Sequence, residues 1–270
     1  MKKIGLLLID PQVDFCDPNG ALYVKGAERD MDNVAALIDG LTRKKKLADC
    51  HVTLDCHQGI HVAHPIFWID ASGNHPAPFT LITHQDVVDH KWTAARPGLR
   101  KHVLAYTKAL QDHGRYPLVI WPPHCLIGSG GNNVAPKVLS AVRGWSDSVF
   151  NTIHFVSKGS NPLTEHYSAV QADVPDANDP STQINTTFIR NLEEADELLL
   201  AGEAGSHCLA NTVRDVVDNL TDPDIVKKFV LLMDCTSPVP SFEKLQDDFI
   251  RDMQARGVRV MTSKDYLAAA

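Results

Sequence analysis

Four polar residues stand where predicted strands and helices end or begin, and together they could carry out nucleophilic chemistry. Asp10 follows the continuous apolar run Ile4–Ile9, and Asp55 follows a second strand-like run. Lys158 ends a third such run, and Cys208 lies one or two residues into a predicted helix. Ligands of open parallel sheets bind at the carboxyl ends of strands, so we expect these four side chains at one edge of a sheet.

A cysteine in the position of Cys208 has the properties of a nucleophile. The helix dipole and the unpaired backbone N–H groups are expected to lower the pKa of its thiol, and the thiolate is the reactive form. The same N–H groups could bind the oxyanion that forms when a thiolate attacks a carbonyl. Asp10 could accept the thiol proton, and Lys158 could stabilise the negative charge. Taken singly, Asp10 also fits a turn cap, Cys208 fits a buried core position, and Lys158 fits a solvated surface position.

The sequence also contains a candidate metal site. Seven of the thirteen histidines fall between positions 51 and 90. The run Asp55-x-His57-x-x-x-His61 brings one carboxylate and two imidazoles close together, which suits Zn²⁺, Fe²⁺ or Mn²⁺. Surface histidines are common, so a surface position stays open for His61 and is expected for His64.

Strand and helix patterns alternate along the chain. Strands are predicted at Ile4–Ile9, His51–Leu54, Leu118–Trp121, Ser148–Val156, Glu197–Ala201, Lys228–Met233 and Val258–Met261. Helices are predicted at Ala27–Leu41, Leu99–His113 with Gly114 as its stop, Val134–Val142, His207–Leu220 and Phe242–Ala255. This alternation predicts an α/β fold with a parallel sheet of about six strands and helices on both faces. We expect one domain over residues 1–270, with a long loop at 159–182 and a His-rich insertion around 58–117.

Composition limits the classes of function. The 270 residues are 44% hydrophobic and 22% charged, which is typical of a soluble globular protein. The net charge of −7 argues against a nucleic-acid surface and against binding to anionic lipid. The N-terminal apolar run is too short for a membrane span and lacks a cleavage site, which predicts a cytoplasmic protein. There the six cysteines are expected to be reduced, and a homo-oligomer is left open.

Several segments, taken in order, resemble the isochorismatase-like cysteine hydrolases and, within them, nicotinamidase/pyrazinamidase. The resemblance extends from residue 4 to about residue 235. The matching segments are Leu8-Ile-Asp-Pro-Gln-Val-Asp-Phe15, Leu54-Asp-Cys-His-Gln-Gly-Ile-His61, Trp121-Pro-Pro-His-Cys125, Lys158-Gly159, Tyr167-Ser-Ala169 and Gly202-Glu-Ala-Gly-Ser-His-Cys208.

The resemblance implies roles for the residues in these segments. The family's catalytic triad would fall on Asp10, Lys158 and Cys208. In such enzymes the cysteine attacks an amide, ammonia leaves, and water hydrolyses the thioester. A cis peptide bond is implied between Glu203 and Ala204, with the N–H groups of Ala204 and Cys208 as the oxyanion hole.

The resemblance also implies a metal and a pocket for a flat ring. One divalent transition metal, with zinc expected and iron or manganese as alternatives, would be held by Asp55, His57 and His124, with His61 as a possible fourth ligand. It would bind the pyridine nitrogen of the substrate. Phe15 and Trp121 would lie on either side of the ring, although Phe15 also fits a core position.

These features predict a metal-containing amidase that hydrolyses nicotinamide to nicotinate and ammonia. A hydrolase of another small amide, carbamoyl or ureido compound, or of isochorismate, is a second hypothesis. A third is a catalytically silent binding protein on the same fold.

Overall fold

The computed structural model describes residues 2–113 and 116–270, so the predicted helix stop at Gly114 lies outside the described residues. The strands are β1 (Ile4–Ile9), β2 (Leu47–Asp55), β3 (Trp68–Ile69), β4 (Leu81–Ile82), β5 (Thr93–Ala94), β6 (Leu118–Val119), β7 (His154–Lys158), β8 (Glu197–Gly202), β9 (Phe229–Leu232) and β10 (Arg259–Met261). The α-helices are α1 (Val13–Cys16), α2 (Ala27–Arg43), α3 (His84–Val88), α4 (Arg100–His113), α5 (Pro136–Val149), α6 (Thr186–Glu193), α7 (Cys208–Asp218), α8 (Glu243–Arg256) and α9 (Ser263–Ala269).

Six of the strands form one parallel sheet in the order β10-β9-β8-β1-β2-β7. The central strand β1 is buried along its whole length, as its unbroken apolar sequence predicts. Helices flank the sheet: α2 packs on α5 and α9, and α7 packs on α8. The predicted α/β class and the six-stranded sheet are therefore confirmed. No helix in the described ranges combines the length and apolar character needed to cross a bilayer.

Two predicted strands differ from the structure: one begins later than predicted, and the other lies outside the six-stranded sheet. Ser148 and Val149 belong to the last turn of α5, which ends where Phe150 adopts a left-handed conformation at φ +53°, so β7 begins only at His154. The predicted strand Leu118–Trp121 forms as the two-residue strand β6 and stays out of the sheet. It pairs antiparallel with β4 instead.

Residues 58–113 and 116–119 fold back on themselves through short elements. Besides the β4–β6 pair, β3 pairs antiparallel with β5, and α3 packs against α4. Trp68 anchors the segment, because its buried indole N–H donates to the carbonyl of Val62 at 2.6 Å. These strands of two residues have no periodicity that a sequence argument could detect.

Gly202 ends β8 at a point where only glycine fits. Its φ is +111°, and a Cβ atom there would overlap the backbone carbonyl of Ile9, its neighbour on β1. The close approach of these two strand ends fixes the start of the turn that leads into α7.

We predict that Gly202→Ala destabilises the fold strongly. The side chain meets both a positive φ and a backbone clash, so the free energy of unfolding should fall by about 3 kcal/mol or more. Gly73 is the matched control, since its φ is also positive (+83°) but nothing lies within 4 Å of the added atom. Denaturant unfolding should show a much smaller loss for Gly73→Ala, and equal losses would contradict the packing argument.

Candidate active site

The sheet brings three of the four predicted polar residues to one edge. Because β1, β2 and β7 are neighbours, their carboxyl ends lie side by side, and Asp55 and Lys158 are direct partners in the β2–β7 register. Asp10 follows β1, where Thr53 of β2 holds it: the Asp10 N–H donates to the Thr53 hydroxyl at 3.0 Å, and that hydroxyl donates to Asp10 Oδ1 at 2.5 Å. The predicted clustering at the sheet edge is present.

Lys158 is the centre of this cluster. Its Nζ lies 3.0 Å from Asp10 Oδ2 and 3.1 Å from Asp55 Oδ1. The same nitrogen is 3.6 Å from Cys208 Sγ and donates to the carbonyl of His166 at 3.0 Å. All of these side chains are buried, so the ammonium group has exchanged its water shell for two carboxylates, a carbonyl and a thiol.

The charges at this centre shift one another's pKa values. Burial opposes the charged form of Lys158, but Asp10 and Asp55 outweigh it and raise its pKa well above the usual value. Burial likewise acts against ionised Asp55, yet His57 and Lys158 prevail and lower its pKa. For Asp10, burial has a larger effect than the charge of Lys158, so the pKa of Asp10 is raised. Asp10 is therefore the more basic of the two carboxylates.

Cys208 is the first residue of α7 and belongs to the cluster through its contact with Lys158. The expected lowering of its thiol pKa is wrong. Burial raises that pKa well above 9.0, Lys158 opposes the rise, and Asp10 adds to it through its charge and a hydrogen bond. Desolvation is the largest of these effects and favours the neutral form of the thiol.

The turn before Cys208 contains a cis peptide bond between Glu203 and Ala204, at the position that the resemblance indicates. The chain is pinned on both sides of this bond. The N–H of Glu203 donates to the carbonyl of Ile9 at 2.8 Å, and the N–H of Gly205 donates to the carbonyl of Ser237 at 2.9 Å. Ala204 is buried in this turn, four residues before Cys208.

Asp55, His57 and His124 form a buried cluster whose ligand atoms all lie within 4.8 Å of one another. The Nε2 atoms of His57 and His124 are 2.9 and 3.4 Å from Asp55 Oδ2. Each ring directs Nδ1 to a backbone carbonyl, that of Gly159 at 3.2 Å and that of Pro122 at 2.8 Å. In the tautomer in which Nδ1 donates to the carbonyl, Nε2 has a lone pair that can bind a metal, the arrangement usual for metal-bound histidines. This donor set fits a divalent transition metal.

Buried polar side chains fix the backbone around this cluster. Gln12 donates to the carbonyl of Asp55 at 2.7 Å and accepts from its N–H at 2.7 Å. Asp14 accepts from the N–H of Cys125 at 2.6 Å, next to His124. The N–H of His57 donates to the Cys125 carbonyl at 3.1 Å, so the loop carrying His124 is tied to the end of β2.

Two further histidines line the same cluster. The rings of His61 and His64 lie 4.3 and 5.4 Å from that of His57, and both Nε2 atoms are buried with no hydrogen-bond partner among the described residues. The expectation of a surface position for His64 is wrong, because the folded segment after residue 58 covers it. Glu165 joins His57 and His61 in a second buried group, and its position in a polar loop gave no sequence signal.

The two predicted ring-binding residues occupy different surroundings. Phe15 is buried against His124, with ring centroids 5.4 Å apart. Trp121 donates from its indole to the hydroxyl of Tyr167 at 2.9 Å and meets the ring of His207 edge-on at 5.3 Å. Sequence reasoning did not identify His207, whose buried ring also contacts three more aromatic side chains, those of Tyr116, Tyr167 and Phe242.

Solved structures of nicotinamidases and pyrazinamidases share this fold. The yeast nicotinamidase, also solved with the inhibitor nicotinaldehyde, has a TM-score of 0.64 and 18% identity, over 96% of this chain and 99% of its own. An Acinetobacter baumanii nicotinamidase/pyrazinamidase has a TM-score of 0.61 and 19% identity, over 98% and 99%. A Pyrococcus horikoshii pyrazinamidase in complex with zinc has a TM-score of 0.54 and 17% identity, over 96% and 99%. No protein-family profile and no curated protein matches the chain. The fold expected from the resemblance is confirmed.

We predict that Lys158→Met destabilises the protein strongly although the new side chain fills a similar volume. The substitution leaves Asp10 and Asp55 buried without their cation, and breaking a buried pair in this way costs about 3–5 kcal/mol. Lys137→Met is the matched control, because Lys137 is exposed and pairs with Asp32 at the surface. Denaturant unfolding at pH 7 should separate the two variants, and similar midpoints would show that the buried cation does not hold the cluster.

Proposed function

We propose that this protein is a metal-containing cysteine amidohydrolase that converts nicotinamide and water to nicotinate and ammonia. The observation that carries the proposal is the buried contact of one ammonium group, Lys158 Nζ, with Asp10, Asp55 and the Cys208 thiol. The shared fold of the nicotinamidase and pyrazinamidase structures supports the reaction class.

The first step is transfer of the thiol proton to Asp10. Because burial keeps the pKa of Cys208 high, a thiolate forms only if a base accepts the proton and a cation stabilises the charge. Asp10 is the more basic carboxylate of the pair, and Lys158 lies beside both groups. The thiolate then attacks the carboxamide carbon of the substrate.

The turn before Cys208 suits the oxyanion that this attack creates. Cys208 is the first residue of α7, and the N–H groups of a first helical turn have no partner within the helix. We assign the N–H groups of Ala204 and Cys208 to the oxyanion. Asp10 then gives its proton to the leaving amine, so that ammonia departs and a thioester remains on Cys208.

Hydrolysis of the thioester completes the cycle. Asp10, now ionised again, accepts a proton from a water molecule whose oxygen attacks the thioester carbon. The carbon–sulfur bond breaks, nicotinate leaves, and the proton returns to the sulfur. Asp10 thus moves a proton in each half of the reaction, while Lys158 remains charged throughout.

We assign the metal to Asp55, His57 and His124, with His61 as the candidate fourth ligand. Zinc is the preferred ion, with iron or manganese as the alternatives, and a zinc complex is known for the Pyrococcus horikoshii protein of this fold. When bound, such an ion supplies a Lewis acid for the ring nitrogen of the substrate. Phe15, packed on His124, and Trp121 are proposed to flank the ring.

We predict that Cys208→Ala lowers the rate of ammonia release from nicotinamide by about 10⁴-fold or more, because no other group can form the thioester. Cys50→Ala is the matched control, since Cys50 is another buried cysteine but lies within β2, away from the cluster. Release of ammonia is measured at millimolar substrate. Equal rates in the wild type and Cys208→Ala would refute the mechanism, and turnover only of another small amide would redirect the substrate assignment.

We predict that His57→Ala and His124→Ala lower the content of bound transition metal, because each removes one imidazole from the donor set. His75→Ala is the control, since His75 is exposed and lies outside the cluster. Elemental analysis after dialysis gives the metal stoichiometry. Unchanged metal content in both site variants would overturn the ligand assignment, whatever their activity.

A further inference from the structure

Two buried carboxyl groups meet behind the turn that precedes Cys208. Glu203 in the turn is 0% exposed and Asp30 of α2 is 4% exposed. Glu203 Oε1 is buried and has no hydrogen-bond partner among the described residues. Ser237 bridges them, because its N–H donates to Glu203 Oε2 at 3.0 Å and its hydroxyl donates to Asp30 Oδ2 at 2.5 Å. This contact joins the turn, α2 and the segment after β9.

In the part of the chain that the structure describes, neither carboxyl group forms a salt bridge with a cation. Within the two described ranges, the salt bridges of Lys, Arg and His side chains go to other carboxylates, as Lys158 does with Asp10 and Asp55. The charges that act on Glu203 are those of Asp30 and Glu28 of α2, while Arg29 of α2 acts on Asp30, and the Cys16 thiol of α1 lies near the pair and near Asp10. Two adjacent anions without an ion-pair partner at a buried site are unfavourable, and taking up one proton is the least costly way to relieve this.

We propose that Glu203 keeps its proton at neutral pH and donates it to Asp30, so that a neutral carboxylic acid ties the turn before Cys208 to α2. Burial, followed by the charge of Asp30, raises the pKa of Glu203 well above its ordinary value. Glu203 is a positioning residue: it acts through the backbone of the turn and not on the substrate. Its relevance to turnover rests on the proposed function, whereas its effect on stability does not.

The proton on Glu203 makes stability depend on pH in a defined direction. A carboxyl group whose pKa is raised by folding contributes its full stability below the pKa of the unfolded chain, about 4.3 for Glu. That contribution is lost as the pH rises through the folded-state pKa. Between these two values the unfolding equilibrium constant should increase by about tenfold per pH unit from this group alone.

Glu203→Gln tests the proposal, because an amide can still donate to Asp30 but cannot ionise. The free energy of unfolding of the wild type and the variant is measured by denaturant titration between pH 5 and pH 7. The unfolding constant of the wild type, divided by that of the variant, should increase by about tenfold per pH unit, because only the wild type is destabilised by ionisation of this group as the pH rises. Glu243→Gln is the control, since Glu243 is exposed, and its ratio to the wild type should stay flat.

A flat ratio for Glu203→Gln would overturn the proposal. If that variant does not fold, Asp30→Asn provides the same test. Removing the charge next to Glu203 should reduce the loss of stability at alkaline pH. An unchanged loss would contradict the proposal. In the ammonia assay, kcat of the wild type should fall at alkaline pH where kcat of Glu203→Gln does not, with KM unaffected. Absence of nicotinamide turnover in the wild type would refute the proposed function and leave the stability result standing.

Discussion

The buried ammonium group of Lys158 is the interaction on which the site depends. Removing a lysine from water costs several kcal/mol, and only well-placed partners recover that cost. Here the partners are Asp10 and Asp55, at 3.0 and 3.1 Å, from two other strands. A shift of one residue in the β2–β7 register would separate Asp55 from Lys158 and leave both charges unpaired. The electrostatics of the site therefore also specify how three strands align.

The same burial acts on the Cys208 thiol, which we propose as the nucleophile. A helix terminus favours a thiolate by about 1 kcal/mol or less at most sites, whereas desolvation of a fully buried group can shift a pKa by several units. At Cys208 desolvation prevails, and Lys158 only reduces the rise. A thiol that stays protonated until a base accepts its proton is protected from oxidation and alkylation in the resting protein. In the proposed mechanism, the Cys208 thiol becomes reactive only when Asp10, which contacts the same lysine, accepts its proton.

Sequence patterns predict the parts of this arrangement that follow from strand ends. Apolar, strand-like runs located β1, β2 and β8, and the polar residues after the first two runs gave Asp10 and Asp55. The burial of His64 and the approach of Glu165 could not be predicted, because both depend on how residues 58–113 and the polar loop after β7 fold over the site. The end of α5 was predicted wrongly for a local reason. Val149 alternates with later apolar residues, which is typical of a strand, but in the structure it belongs to α5, and the left-handed conformation of Phe150 ends that helix.

Two pairs of buried carboxyl groups lie near the turn that leads into α7, and they are stabilised in different ways. Asp10 and Asp55 remain next to a cation, which keeps one strong charge available for a reaction. The described contacts between Glu203 and Asp30 are those of the Ser237 hydroxyl and N–H, and we infer that a proton relieves the repulsion of the two carboxyl groups. The protonated pair carries one negative charge, on Asp30, so the turn is tied to α2 with one buried anion instead of two.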